Sequence, residues 1–281
     1  MLRTLEGLDA QITDDRFSYS IVVADNDGER SGEAAVAGFS ANARVPVTYC
    51  VEPRQNIALV RNQALSRVDG EFAGLIDDDE VPAGDWLLRL YTERHRCGSD
   101  GVLGPVIPYF DSDPPAWVKN GRFFDRPSHA TGYELKWAEC RTGNVLFRQS
   151  ILSSVEGQPF QAQFGTGGED QDFFRRMIGK GFRFTWCAEA PVYELVPPSR
   201  CRRSFLLKRA LLRGSNFPKH QAGRMKNLAK SMVAVPAYIL ALPVSAVFGQ
   251  HVFLKYLIKL LDHTSRLLAV SGVVLAKERE L

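Results

Sequence analysis

Cysteine is scarce in this chain: five residues in 281 (Cys50, Cys97, Cys140, Cys187 and Cys201), an odd number without a CxxC pair or a Cys/His cluster of zinc spacing. A disulfide scaffold and a zinc module are thereby excluded, and a reducing compartment is the expectation. Internal repeats and low-complexity tracts are absent, which removes solenoids and disordered arrays. The opening MLRTLEGLDAQ lacks the continuous apolar stretch of a signal peptide and instead spaces Leu and charge as an amphipathic helix does. Acids are nearly missing from the end of the chain. From Arg200 onward 15 Lys/Arg face three acids (Asp262, Glu278, Glu280), whereas the first 199 residues hold 20 bases and 29 acids. The near-neutral total of +3 therefore hides an acidic part and a basic part, and the basic part should meet an anionic partner. Finally, no charged residue occurs between Ser231 and Leu254.

What is present is ordinary globular composition, 45% hydrophobic and 24% charged. Tyr19 to Ala24 (YSIVVA) predicts a strand ending at Asp25-Asn26-Asp27-Gly28, and Val45 to Val51 predicts another. Ile57, Val60, Ala64 and Val68 recur at helical spacing, so Asn56 to Val68 reads as a helix capped by Asn56. Phe72 to Ile76 (FAGLI) is a short apolar strand running into Asp77-Asp78-Asp79-Glu80, and Asp85 is placed to cap a helix bearing Trp86, Leu87, Leu90 and Tyr91. This alternation predicts an α/β fold with a mostly parallel sheet, whose ligands bind at the carboxyl ends of strands. Both Asp clusters lie there.

Prolines and aromatics punctuate Gly104 to Thr142, which reads as loops with short antiparallel strands. Gly165-Thr166-Gly167-Gly168 is a flexible loop before a helix opened by Glu169-Asp170 and ended near Gly179 or Gly181. Phe182 to Glu194 holds one or two strands, and a helix capped by Ser204 runs to Arg213 and is closed by Gly214. Ser231 to Leu254 has the length of a bilayer span, but Pro236, Pro243 and Gly249 interrupt it, and Lys255, Lys259 and Arg266 follow on an amphipathic stretch. Surface attachment, a re-entrant hairpin and a buried helix pair all fit that pattern.

Two carboxylate groups carry chemistry. In an extended backbone Asp77 and Asp79 share one side, and such hard oxygen ligands suit Mg2+ or Mn2+ shared with a diphosphate; a solvated acidic turn is the other reading. Glu169 and Asp170 sit at a helix N-terminus, which favours their ionised form, so one of them can serve as a general base or both can be first-turn acids. Cations among Arg200, Arg202, Arg203, Lys208, Arg209 and Arg213 suit a leaving diphosphate.

The strings VVADNDG (22–28), EPRQNIALVRNQAL (52–65), LIDDDEVPAGDWL (75–87), TGNVLFR (142–148) and GGEDQDFFRRMIGKGFR (167–183), in this order, resemble family-2 glycosyltransferases of GT-A fold. Within that family the strings IDDDE and GPV are similar to bacterial exopolysaccharide enzymes of the succinoglycan type. The resemblance implies a GT-A domain over residues 1–200, starting in the helix after the family's first strand and so lacking that strand, followed by a basic and hydrophobic helical tail over 201–281. It implies that Asp25 contacts the nucleotide base with Arg61 in support, and that Asp77 and Asp79 form the DxD, Asp79 on the metal and Asp77 nearer the ribose. Asn144 would line the donor-sugar pocket, Asp170 with Glu169 would be the catalytic pair, Arg209 would meet the diphosphate, and Glu194 would stand as a metal ligand where relatives carry His. The implied partners are a nucleotide-sugar donor, a lipid-linked or polysaccharide acceptor and an anionic membrane at the cytoplasmic face, with no nucleic acid. A non-catalytic GT-A protein acting as a membrane-bound scaffold is the alternative.

Overall fold

The computed structural model describes residues 1–165, 167–215, 224–273 and 275. They form two compact units, 1–109 with 126–195, and 110–125 with 196–281. Residues 110–125, expected within the first domain, thus belong to the second unit.

The first unit opens with α1 (Leu2–Asp9), β1 (Ile21–Asp25), α2 (Glu33–Ser40) and β2 (Val47–Val51). β1 and β2 pair in parallel from Ile21–Val47 to Asp25–Val51, as strands separated by a helical crossover do. The helix α2 was not anticipated, because its EAAVAGFS sequence buries Val36 alone and presents no long apolar period. α3 (Ile57–Leu65) follows, and Asn56 caps it, its side chain accepting from the backbone N–H groups of Ala58 and Leu59. Such a cap contributes about 1 kcal/mol.

Next come β3 (Phe72–Ile76), β4 (Glu80–Pro82), α4 (Trp86–Cys97), β5 (Gly101–Leu103) and β6 (Val106–Tyr109). Asp85 precedes α4 but makes no capping bond; its Oδ2 accepts from Arg89 Nε at 2.7 Å instead. After residue 125 the unit resumes with β7 (Asn144–Arg148), which in chain order follows α5 (Ala116–Gly121) of the other unit, then α6 (Glu169–Gly179), β8 (Phe184–Trp186) and β9 (Val192–Leu195). Two further sheets result, ordered β3-β7-β5-β8 and β4-β9-β6.

Both are mixed. β5–β8 and β6–β9 are parallel, whereas β7 runs antiparallel between β3 and β5, and β4 antiparallel to β9. The α/β class read from the sequence holds, with flanking helices over a core that includes Trp86, Phe147, Phe160, Phe173, Phe174 and Phe184. In the segment from Gly104, however, β6 pairs in parallel with β9 rather than antiparallel with a neighbour. Its partner lies 86 positions downstream, beyond the reach of hairpin reasoning.

The second unit holds α5, α7 (Arg203–Ser215), α8 (Arg224–Val247) and α9 (Gln250–Val270). Gly214 was expected to end α7 but lies inside it, where a Cβ would sit 2.6 Å from Ser265 Cβ and 2.7 Å from the Asp262 carbonyl oxygen. Glycine there permits close approach of α7 and α9. α8 passes through Pro236 and Pro243 without breaking. By length and composition it is apolar enough to cross a membrane, though little of it is buried.

Candidate active site

The register of β3 and β7 decides what surrounds the acidic turn. Ile76 pairs with Asn144, so the residues just beyond each strand end, Asp77 and Gly143, become neighbours. A Cβ on Gly143 would lie 2.8 and 3.0 Å from the two Glu80 carboxylate oxygens and 3.1 Å from Asp77 Oδ2. Only glycine lets this backbone lie against both carboxylates.

The extended geometry expected for Asp77 to Asp79 is replaced by a turn. Glu80 N–H donates to the Asp77 carbonyl at 3.1 Å, and Asp77 N–H donates back to Glu80 Oε2 at 3.2 Å. Thr4 of α1 fixes the turn from outside through its hydroxyl, which donates to the Asp78 carbonyl at 2.8 Å. Asp78 and Asp79 are exposed, Asp77 is half-buried, and Glu80 is fully buried.

Glu80 is the residue that the sequence reading missed. It faces Glu194 across the β4–β9 pair, and Arg126 joins them, hydrogen-bonded to Glu194 and 3.7 Å from Glu80 Oε1. That Oε1 accepts no hydrogen bond. Burial, and next the charge of Asp77, push the Glu80 carboxyl up to about 9 against the opposing pull of Arg126. The available signal was its place in a strand of alternating burial directly after the acidic turn.

Arg61, on α3, joins the two carboxylate motifs. One guanidinium nitrogen donates to Asp77 Oδ1 at 3.1 Å and another donates to Glu169 Oε1. Its guanidinium carbon lies over the Phe160 ring, 5.9 Å from the centroid. The resemblance places Arg61 beside the nucleotide base with Asp25; in the structure its side-chain partners are Asp77 and Glu169. Asp25 serves its own loop: Oδ1 accepts from Asp27 N–H at 3.0 Å, and Oδ2 from Gly32 N–H at 2.9 Å and the Tyr49 hydroxyl at 2.7 Å. Burial and this carboxylate push the Tyr49 phenol up to about 12.

At the start of α6, Gly167 and Gly168 adopt φ of 115° and 94°, a left-handed path that turns Glu169 inward. Thr166 of this loop lies outside the described residues. Glu169 is buried, its Oε2 accepts no hydrogen bond, and burial raises its carboxyl against the lowering effect of Arg61. The expectation that the helix terminus would favour ionised Glu169 is thus outweighed by desolvation. Asp170 is more open, with Oδ1 accepting from Gln171 N–H at 2.7 Å and Oδ2 3.8 Å from Arg141 Nε. Of the pair, Asp170 is the more exposed.

Asn144, expected to line the donor-sugar pocket, is drawn inward. Buried at the start of β7, it donates to the carbonyls of Pro105 (3.0 Å) and Ala190 (2.9 Å) and accepts from Trp86 Nε1 at 2.8 Å. Both amide hydrogens are thereby used inside the protein. Arg209 is exposed on α7 of the other unit.

Among the described residues, no three His, Cys, Asp or Glu side chains converge as a metal centre. A sparse donor set is nevertheless what Mg2+ accepts when one or two carboxylates hold it and phosphate oxygens and water complete the octahedron. Asp77 and Asp79 supply carboxylate oxygens of that kind at one turn, so the residues fit such a cation.

Comparison with known proteins agrees with this geometry. Residues 1–155 match the description "Glycosyl transferase family 2", and residues 122–196 match "N-terminal domain of galactosyltransferase". The succinoglycan biosynthesis protein ExoM of Rhizobium meliloti (strain 1021) is 33% identical over 260 residues, covering 88% of this chain and 82% of ExoM. Among solved structures, S. aureus TarS 1-349 in complex with UDP superposes with a TM-score of 0.52 at 13% identity, covering 97% of this chain and 88% of that one. The same TarS fragment with UDP-GlcNAc gives 0.51 at 13% identity, covering 96% and 88%. The solved structures establish the GT-A fold, and the family match together with the ExoM identity establishes descent: the chain belongs to glycosyl transferase family 2.

Proposed function

We propose that this glycosyltransferase moves a sugar from a nucleotide-activated donor to a lipid-linked or polysaccharide acceptor at a membrane surface, inverting the anomeric centre. The observation that carries the reading is Arg61. It ties Asp77 to Glu169, the latter 108 positions downstream of Arg61 itself, so that the acidic turn and the N-terminus of α6 face one space. Direct displacement needs one base and one stabiliser of the departing diphosphate, and those two motifs supply them.

In this mechanism Asp170 accepts the proton of an acceptor hydroxyl, and that oxygen attacks the anomeric carbon in line with the departing diphosphate. Glu169, buried and held by Arg61, fixes the helix start that carries Asp170. Asp25 holds the loop after β1 on the nucleotide side, while Asp79 and Asp77 would hold Mg2+ or Mn2+ with Glu80 and Glu194 behind them. When bound, the cation neutralises charge on the leaving diphosphate. Relatives support the donor class, since TarS has been solved with UDP and with UDP-GlcNAc.

The test is transfer from radiolabelled nucleotide-sugars to membrane lipid extracts, with calorimetry of nucleoside diphosphate and Mn2+ alongside. Asp170→Asn should abolish transfer and keep diphosphate binding; Asp79→Ala should lose both transfer and the Mn2+ dependence of binding. Undiminished turnover in both variants would overturn the proposal.

A further inference from the structure

We infer that α8 docks in the plane of an anionic lipid surface and does not cross it. The charge-free stretch of α8 that follows Lys230 allows either arrangement, but its packing favours one. A narrow stripe of the helix faces inward: Ser231 and Ser245 are buried, and the Ser231 hydroxyl is 3.0 Å from His263 Nδ1 of α9. Opposite it is a continuous exposed apolar face that includes Met232, Val233, Ile239, Leu240, Val244 and Val247, between 54% and 83% exposed. These positions fall within about half a turn of one another on a helix of 3.6 residues per turn.

Three observations argue against a span. First, α9 runs antiparallel alongside, with the Tyr238 ring 5.7 Å from Tyr256 and 5.8 Å from His263. Lys255 and Lys259, both exposed, and Asp262 are therefore level with the middle of α8. Driving α8 through a bilayer would carry these charges into hydrocarbon, where they are costly. Second, Pro236 and Pro243 cannot donate to the carbonyls four residues back, those of Met232 and Ile239, and both residues lie on the exposed face. In hydrocarbon those carbonyls would lack a donor; at a headgroup interface water supplies one. Third, the charge is complementary to anionic lipid. Lys226 and Lys230 are exposed in the first turns of α8, directly before the charge-free stretch, and an apolar face bordered by lysines is the pattern of an interfacial helix.

The proposal is independent of the transfer reaction and is tested without it. Full-length protein should co-sediment with phosphatidylglycerol-containing vesicles and much less with phosphatidylcholine vesicles. Leu240→Glu/Val244→Glu should lower partitioning by at least about tenfold, and Lys226→Glu/Lys230→Glu, a purely surface change, should remove the preference for anionic lipid. In Leu240→Trp, fluorescence beyond that of the parent protein should be quenched better by lipids brominated near the headgroup than near the chain end. Stronger quenching from the chain end would show a span and overturn the inference. Absence of vesicle binding, with a mass that doubles at higher protein concentration, would assign the face to a second copy and overturn it equally.

Discussion

Replacing Arg61 with methionine separates its charge from its packing. Methionine keeps an unbranched side chain at this position but takes the guanidinium from over Phe160 and leaves Glu169 buried without its cation and Asp77 without its partner. Asp77 is 42% exposed at its side chain, so that arm contributes at most about 1 kcal/mol. Glu169, at 5%, is the expensive one: stranding one member of a buried pair costs about 3–5 kcal/mol. At roughly 2–4 °C per kcal/mol for a unit of this size, the melting temperature should fall by roughly 6–20 °C. The pH dependence follows from the direction of the Glu169 shift. Its carboxyl lies above 4.5 in the folded protein because burial outweighs Arg61, and removing Arg61 raises it further. A raised carboxyl binds more protons folded than unfolded, so stability falls as pH rises from about 4.5 through the folded value. Arg61→Met should therefore be close to the parent protein near pH 5 and furthest below it near pH 8. Adding Glu169→Gln removes the stranded charge and should recover most of the stability at pH 8, while transfer stays about 10–100-fold down because Asp77 is still unheld. Urea denaturation at both pH values, with transfer assays on the folded protein, gives the answer. A double variant as unstable as Arg61→Met alone at pH 8 would refute the assignment of the cost to Glu169.

Three further outcomes follow from single contacts. Asn144→Ala leaves Trp86 Nε1 and the Ala190 carbonyl unpaired in the interior and removes one of the two donors to the Pro105 carbonyl, which keeps Val192 N–H; thermal unfolding should report a loss of about 2–4 kcal/mol, with nucleotide affinity of the folded fraction unchanged. Gly143→Ala forces a methyl against Glu80 and Asp77, and should cost about 1–3 kcal/mol in denaturant titration and depress transfer at saturating donor. Gly214→Ala pushes α7 off α9 with a cost of similar size, about 1–3 kcal/mol, visible as faster amide exchange along both helices.

Much of the fold was legible because its signals are local. The β-branched runs at β1 and β2, the Asn56 cap and the apolar FAGLI strand each declare themselves within ten residues, and the structure places them as read. What escaped was non-local or weakly periodic. α2 buries a single apolar side chain, so its sequence shows no stripe. β6 owes its strand character to β9, and Gly214 owes its presence to the backbone of α9. Pattern reading treats glycine after a helical stretch as a stop, but a glycine that admits a neighbouring helix looks identical in sequence.

The site divides along the same line. Runs such as DDD and ED announce chemistry, because like charges placed side by side are costly without a purpose, yet they do not say which carboxylate faces outward. Burial decides that. Four consecutive acids from Asp77 to Glu80 end up in three environments, half-buried, exposed and fully buried, because a hydrogen-bonded turn replaces the extended path and β4 begins at Glu80. The same logic separates Glu169 from Asp170: adjacent in sequence at one helix terminus, one is drawn under Arg61 and the other stays partly exposed beside Arg141. Asn144 completes the argument from the opposite direction, since the strand register that brings Gly143 to the acidic turn also carries the next side chain inward. The alternation of a β-strand thus gives the glycine to the site and the asparagine to the core.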